Sequence, residues 1–183
     1  MQVPYAVSLL LDAVASARIE LLWQALADQA GDDGALLIGY PPHITLAVLP
    51  DDVSESTLRD VVSRVARPWA ARPMTIAGLG VFPGAPAAPP VIWAAPIVTS
   101  DLLRLHEVLC AALMPFSIDA HYRPKAWVPH VTLSQKGLST IGQTVEIASS
   151  AWTGPISGSL DRVDLVRFHP VTVLWTSSLP VPK

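Results

Sequence analysis

The chain has 183 residues, 51% of them hydrophobic and 15% charged, with a formal net charge of −3. This composition can close a sizeable core as one compact unit, and it excludes a disordered chain. It also excludes the strongly basic surface of a protein that coats long nucleic acid, and no apolar run is long enough to span a bilayer.

Charge is spread unevenly. Residues 1–60 hold nine acids against Arg18 and Arg59, whereas residues 121–183 hold Arg123, Lys125, Lys136, Arg162, Arg167 and Lys183 against three acids. The asymmetry fits either ordinary solvated faces or a patch that steers a small anion or one end of an RNA. Cys110 is the only cysteine, so no internal disulfide forms, and a reducing compartment such as the cytoplasm is the default. Within an apolar helical stretch it reads as a small buried hydrophobe.

In chain order, residues 3–11 form a short apolar run ending at Asp12, which predicts a central strand followed by a helix start. The stretch from Val3 to Ala17 lacks the basic flank of a signal peptide and is interrupted by Asp12, so it belongs to the fold. Ala15, Ile19, Leu22 and Leu26 recur at helical spacing over 14–29, and the Gly31–Gly34 turn closes that helix. After 35–40, Pro41 and Pro42 lead into a strand from His43 to about Leu49, stopped by Pro50. A second helix is predicted over 53–67, with Ser54 or Ser56 as its cap. Two strands, 74–82 and 91–98, flank a Pro/Ala-rich connection at 83–90 that reads as a long hairpin loop. A third helix runs from Asp101 to about Leu113, with His106 beside its apolar stripe. Residues 114–126 are irregular and deliver the chain to a strand at 127–134. A short helix within 139–151 and strands at about 158–168 and 171–178 finish the chain.

One phrase occurs twice. Tyr40-Pro-Pro-His43-Ile-Thr45-Leu46 is echoed by Trp127-Val-Pro-His130-Val-Thr132-Leu133. In an extended strand successive side chains alternate faces, so each copy presents an imidazole and a hydroxyl on one face and anchors aliphatic side chains on the other. A single His-x-Thr in a strand is a common accident. Two matched copies in strand-like context point to a shared site.

Two histidines near neutral pH can act as a base and an acid, and two hydroxyls add donors to a tetrahedral anion. Such a set can cleave a phosphodiester by in-line attack without a metal. Zinc is disfavoured by the spacing, since there is no His-x-x-x-His pair and no carboxylate at close spacing within either motif. There is no Gly-x-Ser-x-Gly elbow for a serine nucleophile. The remaining histidines carry no paired motif: His106 reads as a core residue, and His121 and His169 as loop or strand-end residues. Tyr122 and Trp127 can stack a nucleobase or simply pack, packing being the commoner use. Arg123 and Lys136 are candidate phosphate contacts or surface charges.

On these residues the chain resembles the two-histidine (2H) phosphoesterase superfamily, in its LigT-like, 2'-5' RNA ligase branch. The resemblance extends to the starting strand, the Pro-Pro-His lead-in, the Leu-rich helix after the Pro/Ala loop and its strand, and the closing strand pair. It implies a single bilobal α+β domain over 1–183, with two antiparallel sheets lining a central cleft and helices outside. It further implies 2',3'-cyclic phosphodiesterase activity on nucleotides or RNA ends that leaves a 2'-phosphate, with 2'-5' joining in some members. Carried onto this chain, His43 and His130 are the acid/base pair and Thr45 and Thr132 the phosphate donors. No cofactor, metal, membrane or obligate protein partner is expected, and a monomer is. The alternative from another class is an RNA-end or nucleotide binding module with the same pocket and little turnover.

Overall fold

The structure is a computed structural model that describes residues 4–84, 89–135, 140–168 and 170–182. Seven strands form one hydrogen-bonded antiparallel sheet among the described residues: β1 (Tyr5–Leu11), β2 (His43–Leu49), β3 (Arg72–Phe82), β4 (Val91–Pro96), β5 (Val131–Ser134), β6 (Ile156–Arg167) and β7 (Thr172–Ser178). Their order is β2-β1-β6-β3-β4-β5, with β7 also pairing β6. The fold is α+β, as expected. What the sequence does not reveal is that the two expected sheets are joined into this one through a shared strand. The C-terminal part of the twelve-residue β6 pairs β1 and β7, and its N-terminal part pairs β3. Leu160 is the pivot, opposite Leu11 on one side and Arg72 on the other.

Among the described residues, five α-helices cover the outside: α1 (Ala13–Ala30), α2 (Gly34–Ile38), α3 (Glu55–Ala66), α4 (Ser100–Ala112) and α5 (Ile141–Ala151). Asp12 is the N-cap of α1, accepting from the Ala15 amide at 2.8 Å, and its other oxygen accepts from the Ser159 amide at 2.6 Å. One carboxylate thus starts a helix and ties it to β6. Gly158 permits this approach, because a Cβ there would lie 2.7 Å from that of Ala15. Gly31, in the left-handed region at φ 65°, ends α1 as the turn chemistry predicts. α1 and α5 pack against the β4–β5 end of the sheet, α3 and α4 against the β2–β7 end.

Strand alternation divides the interior. Tyr5, Val7, Leu9 and Leu11 of β1 enter the main core with Ile44, Leu46, Val163 and Leu165, while Ala6 and Leu10 join Tyr40 and Val166 in a smaller cluster on the opposite face. β1 is therefore buried on both faces, which explains an apolar run broken only by Ser8.

One element has no counterpart in the sequence reading, and one sequence expectation needs correcting. Residues 34–38 form the short helix α2, which a five-residue segment bounded by glycines is too brief to announce by periodicity. The second motif strand begins at Val131, not at 127. Pro129 has no amide to give a ladder, and β4 pairs only from Val131 to Ser134, so residues 127–130 form an irregular lead-in.

Candidate active site

β2 and β5 lie at opposite ends of the strand order, yet the sheet curls until the two edge strands approach each other. Between them is a cavity of about 200 Å³ lined by His43, Thr45, His130 and Thr132. Both copies of the repeated phrase thus deliver their imidazole and hydroxyl to one place. Ile44 and Leu46 anchor the first copy in the core, and Val131 and Leu133 the second.

The two histidines are held in the same way. His43 Nδ1 lies 2.7 Å from the Pro41 carbonyl oxygen, and His130 Nδ1 lies 2.8 Å from that of Val128. A carbonyl only accepts, so in each ring Nδ1 carries the hydrogen and donates it two residues back along the chain. The prolines before each histidine favour the extended backbone that makes this reach possible. With Nδ1 engaged, Nε2 is the nitrogen that can take a proton from, or give one to, a group in the cleft.

Burial lowers the pKa of both rings below the ordinary histidine value. For His43 the bond to Pro41 opposes this, the neighbouring His130 adds to it and Asp164 offsets it; for His130 only the bond to Val128 opposes it. Both rings therefore favour the neutral form. A bound anion offsets that preference for one of them. Their surroundings differ otherwise: the Tyr40 ring meets His43 edge-on at 4.7 Å, whereas His130 stands edge-on to Phe82 at 5.0 Å with Trp93 at 5.9 Å.

Tryptophans tie the motifs to the frame. Trp23 Nε1 of α1 donates to the Thr132 carbonyl at 3.0 Å, and Trp127 Nε1 donates to the Thr45 carbonyl at 2.9 Å. Just past Thr132, the Ser134 hydroxyl donates to the buried carboxylate of Asp32.

The other residues singled out from sequence scatter. Tyr122 lines the cavity, as do Gln135, Tyr40 and Phe168, which the sequence did not single out. Trp127 is buried, stacked on His106 at 3.9 Å, and does not line the cavity. Arg123 is exposed and donates from Nε to the Ile118 carbonyl at 3.0 Å, on a separate groove. Lys136 and His169 lie outside the described residues. His106 is buried and donates from Nε2 to the Tyr122 carbonyl at 2.9 Å, and burial pushes the pKa of the neighbouring Cys110 thiol up to about 11. That keeps the thiol protonated.

No Lys, Arg, Asp or Glu lines the cavity among the described residues. Nor, among them, does any group of three His, Cys, Asp or Glu side chains gather as metal ligands. No described helix is long and apolar enough to cross a membrane.

Comparison with known proteins bears on the family and the fold. The family model described as the 2'-5' RNA ligase superfamily matches residues 12–172. Among solved structures, TT0787 of Thermus thermophilus is similar over 100% of both chains, with 22% identity and a TM-score of 0.62. E. coli LigT complexed with 3'-AMP is similar over 97% of this chain and 98% of that one, with 16% identity and a TM-score of 0.62. Kluyveromyces marxianus Usb1 with uridine monophosphate is similar over 98% of each chain, with 12% identity and a TM-score of 0.53. At these identities the likeness is one of fold. No curated protein sequence matches the chain.

Proposed function

This chain belongs to the 2'-5' RNA ligase superfamily, and we propose that it is a metal-independent cyclic phosphodiesterase opening 2',3'-cyclic phosphates of nucleotides or RNA ends to 2'-phosphates. One observation carries the reading: two histidines pinned through Nδ1 in the same way, each free to act through Nε2 in one cleft. Fold-level likeness to LigT and Usb1, whose structures hold 3'-AMP and uridine monophosphate, supports a nucleotide as ligand. In this reading residues 1–183 work as one bilobal domain with a cleft at its centre.

The reaction follows from the side chains. The phosphate sits between the motifs, its non-bridging oxygens accepting from the Thr45 and Thr132 hydroxyls. One imidazole, neutral at Nε2, takes a proton from water as its oxygen bonds to phosphorus. The bond from phosphorus to the 3'-oxygen breaks on the opposite side. The second imidazole, protonated at Nε2, gives its proton to that oxygen, leaving a 2'-phosphate and a 3'-hydroxyl. With the 5'-hydroxyl of an RNA in place of water, the same proton transfers form a 2'-5' bond. The pair does not distinguish the two outcomes; the attacking group does. Tyr122 and Phe168 line the same cavity and offer aromatic surface to a nucleobase.

The test is incubation with each 2',3'-cyclic nucleotide in EDTA, followed by phosphorus NMR. A 2'-monophosphate is expected. A strict requirement for a divalent cation would overturn the mechanism, and tight binding of the cyclic nucleotide with no product from it or from a cyclic-phosphate RNA end would favour the binding module.

A further inference from the structure

Behind His43 lies a buried polar cluster that the mechanism above does not use. Asp164 of β6 is 3% exposed and sits opposite Ser8 of β1 in the sheet. Its Oδ2 accepts from the Tyr40 hydroxyl at 3.1 Å, and its Oδ1 accepts from the Thr176 hydroxyl at 2.6 Å, with Arg162 Nε 3.6 Å away. Burial and the Asp164 charge raise the pKa of Tyr40, so its hydroxyl stays protonated and is the donor. The ring of Tyr40, fixed at its far end by that bond, is the one that meets the His43 imidazole edge-on at 4.7 Å.

A buried carboxylate is costly, and an apolar pair of similar volume often serves stability as well. Its position here has a second consequence. His130 has Phe82 and Trp93 at its ring, and the charge that offsets the burial of His43 has no counterpart among the influences on His130. The repeated phrase is symmetric, but its surroundings are not.

We propose that Tyr40 and Asp164 are positioning residues for His43: Tyr40 fixes the imidazole from the side, and Asp164 supplies the negative charge that favours His43 when it carries a proton. The two histidines are thereby made inequivalent by the fold. Asp164 on one side and His130 across the cleft act on His43 by charge, beside its bond to Pro41; Tyr40 touches its ring, Arg162 lies against Asp164, and Tyr122 also lines the cavity. As a statement about turnover this rests on the phosphodiesterase reading; as a statement about protonation it does not.

The experiment is an NMR titration of the His43 and His130 rings without substrate, in the wild type, Asp164→Asn and Arg162→Gln. Removing the carboxylate is expected to move the His43 midpoint to lower pH, with a smaller change at His130. Removing Arg162, whose side chain is partly exposed, leaves Asp164 less neutralised and moves the His43 midpoint to higher pH. Shifts of opposite sign are not produced by a structural role alone. A His43 midpoint unchanged in both folded variants, or moved the same way in both, overturns the proposal; if Asp164→Asn does not fold, Arg162→Gln decides by its sign. If a cyclic nucleotide is turned over, one limb of the pH–rate profile moves with the His43 midpoint while the other stays. If neither a cyclic nucleotide nor a cyclic-phosphate RNA end is turned over and the midpoints still separate as stated, the phosphodiesterase reading fails and the electrostatic arrangement stands.

Discussion

The indole N–H of Trp127 donates to the carbonyl oxygen of Thr45 at 2.9 Å, so the lead-in to the second motif is hydrogen-bonded to the strand of the first. This bond joins the two edges of a sheet that are far apart in strand order. It fixes the spacing of the motifs from beneath the cleft. Trp127→Phe keeps an aromatic ring against His106 but loses the donor together with part of the indole's volume. Leaving a carbonyl short of its partner costs about 1–3 kcal/mol. Urea denaturation is expected to register that loss, and kcat to fall more than KM rises as the histidines separate. A variant of wild-type stability and kcat would contradict this role.

Gly80 makes room for the wall behind His130. A Cβ at that position would lie 2.2 Å from Cζ2 of the Trp93 ring, which stacks on Phe82 beside the imidazole. Gly80→Val must therefore displace Trp93. Overpacking of this kind costs about 1–3 kcal/mol. The expected result is a lower thermal midpoint together with an altered NMR titration of His130, while His43 changes little.

Asp32 holds the end of the second motif strand. It accepts from the Ser134 hydroxyl and is itself buried, although the two residues are 102 positions apart. Asp32→Ala leaves that hydroxyl without its acceptor, at a cost of about 1–3 kcal/mol. Hydrogen exchange is expected to speed up at the β5 amides before those of β1. Uniform loss of protection across both strands would argue against a local anchor.

Stability should depend on pH through the buried histidines. Burial lowers the pKa of His43, His106 and His130, so each has a folded value below its unfolded value of about 6.5. As pH falls, the unfolded chain takes up protons first. Stability is therefore unaffected by these groups above about pH 7, declines as pH drops through about 6.5, and stops declining only below the folded values. Urea midpoints at about pH 8 and pH 5.5 check this sign: the lower pH should give the lower midpoint, and the reverse order would contradict it.

The histidine pair is legible because it is written twice in adjacent letters: Pro-His-aliphatic-Thr-Leu needs only strand alternation to become a face with two functional groups. The supporting residues are not legible. Asp164 meets Tyr40 across 124 positions, and a lone Asp in a strand carries no signal of what it will face. The same holds for Asp32 and Ser134. Trp127 reads from sequence as a stacking or packing aromatic; its place on His106 and its bond to Thr45 depend on the curl of the sheet. The helices with caps and apolar stripes are readable from local chemistry, whereas α2 is too short to show a period. The sharing of β6 by both halves is a matter of register at Leu160, which no single segment encodes.

The central claim is that His43 and His130 act as one proton-transfer pair, and a mutant cycle on kcat for a 2',3'-cyclic nucleotide tests it most directly. Each histidine changed to alanine removes a contribution of about 10²–10⁴-fold. Because neither group works without the other, the double variant should be hardly slower than either single one. A double variant whose loss is the product of the two single losses would mean that the histidines act independently, and it would contradict the account.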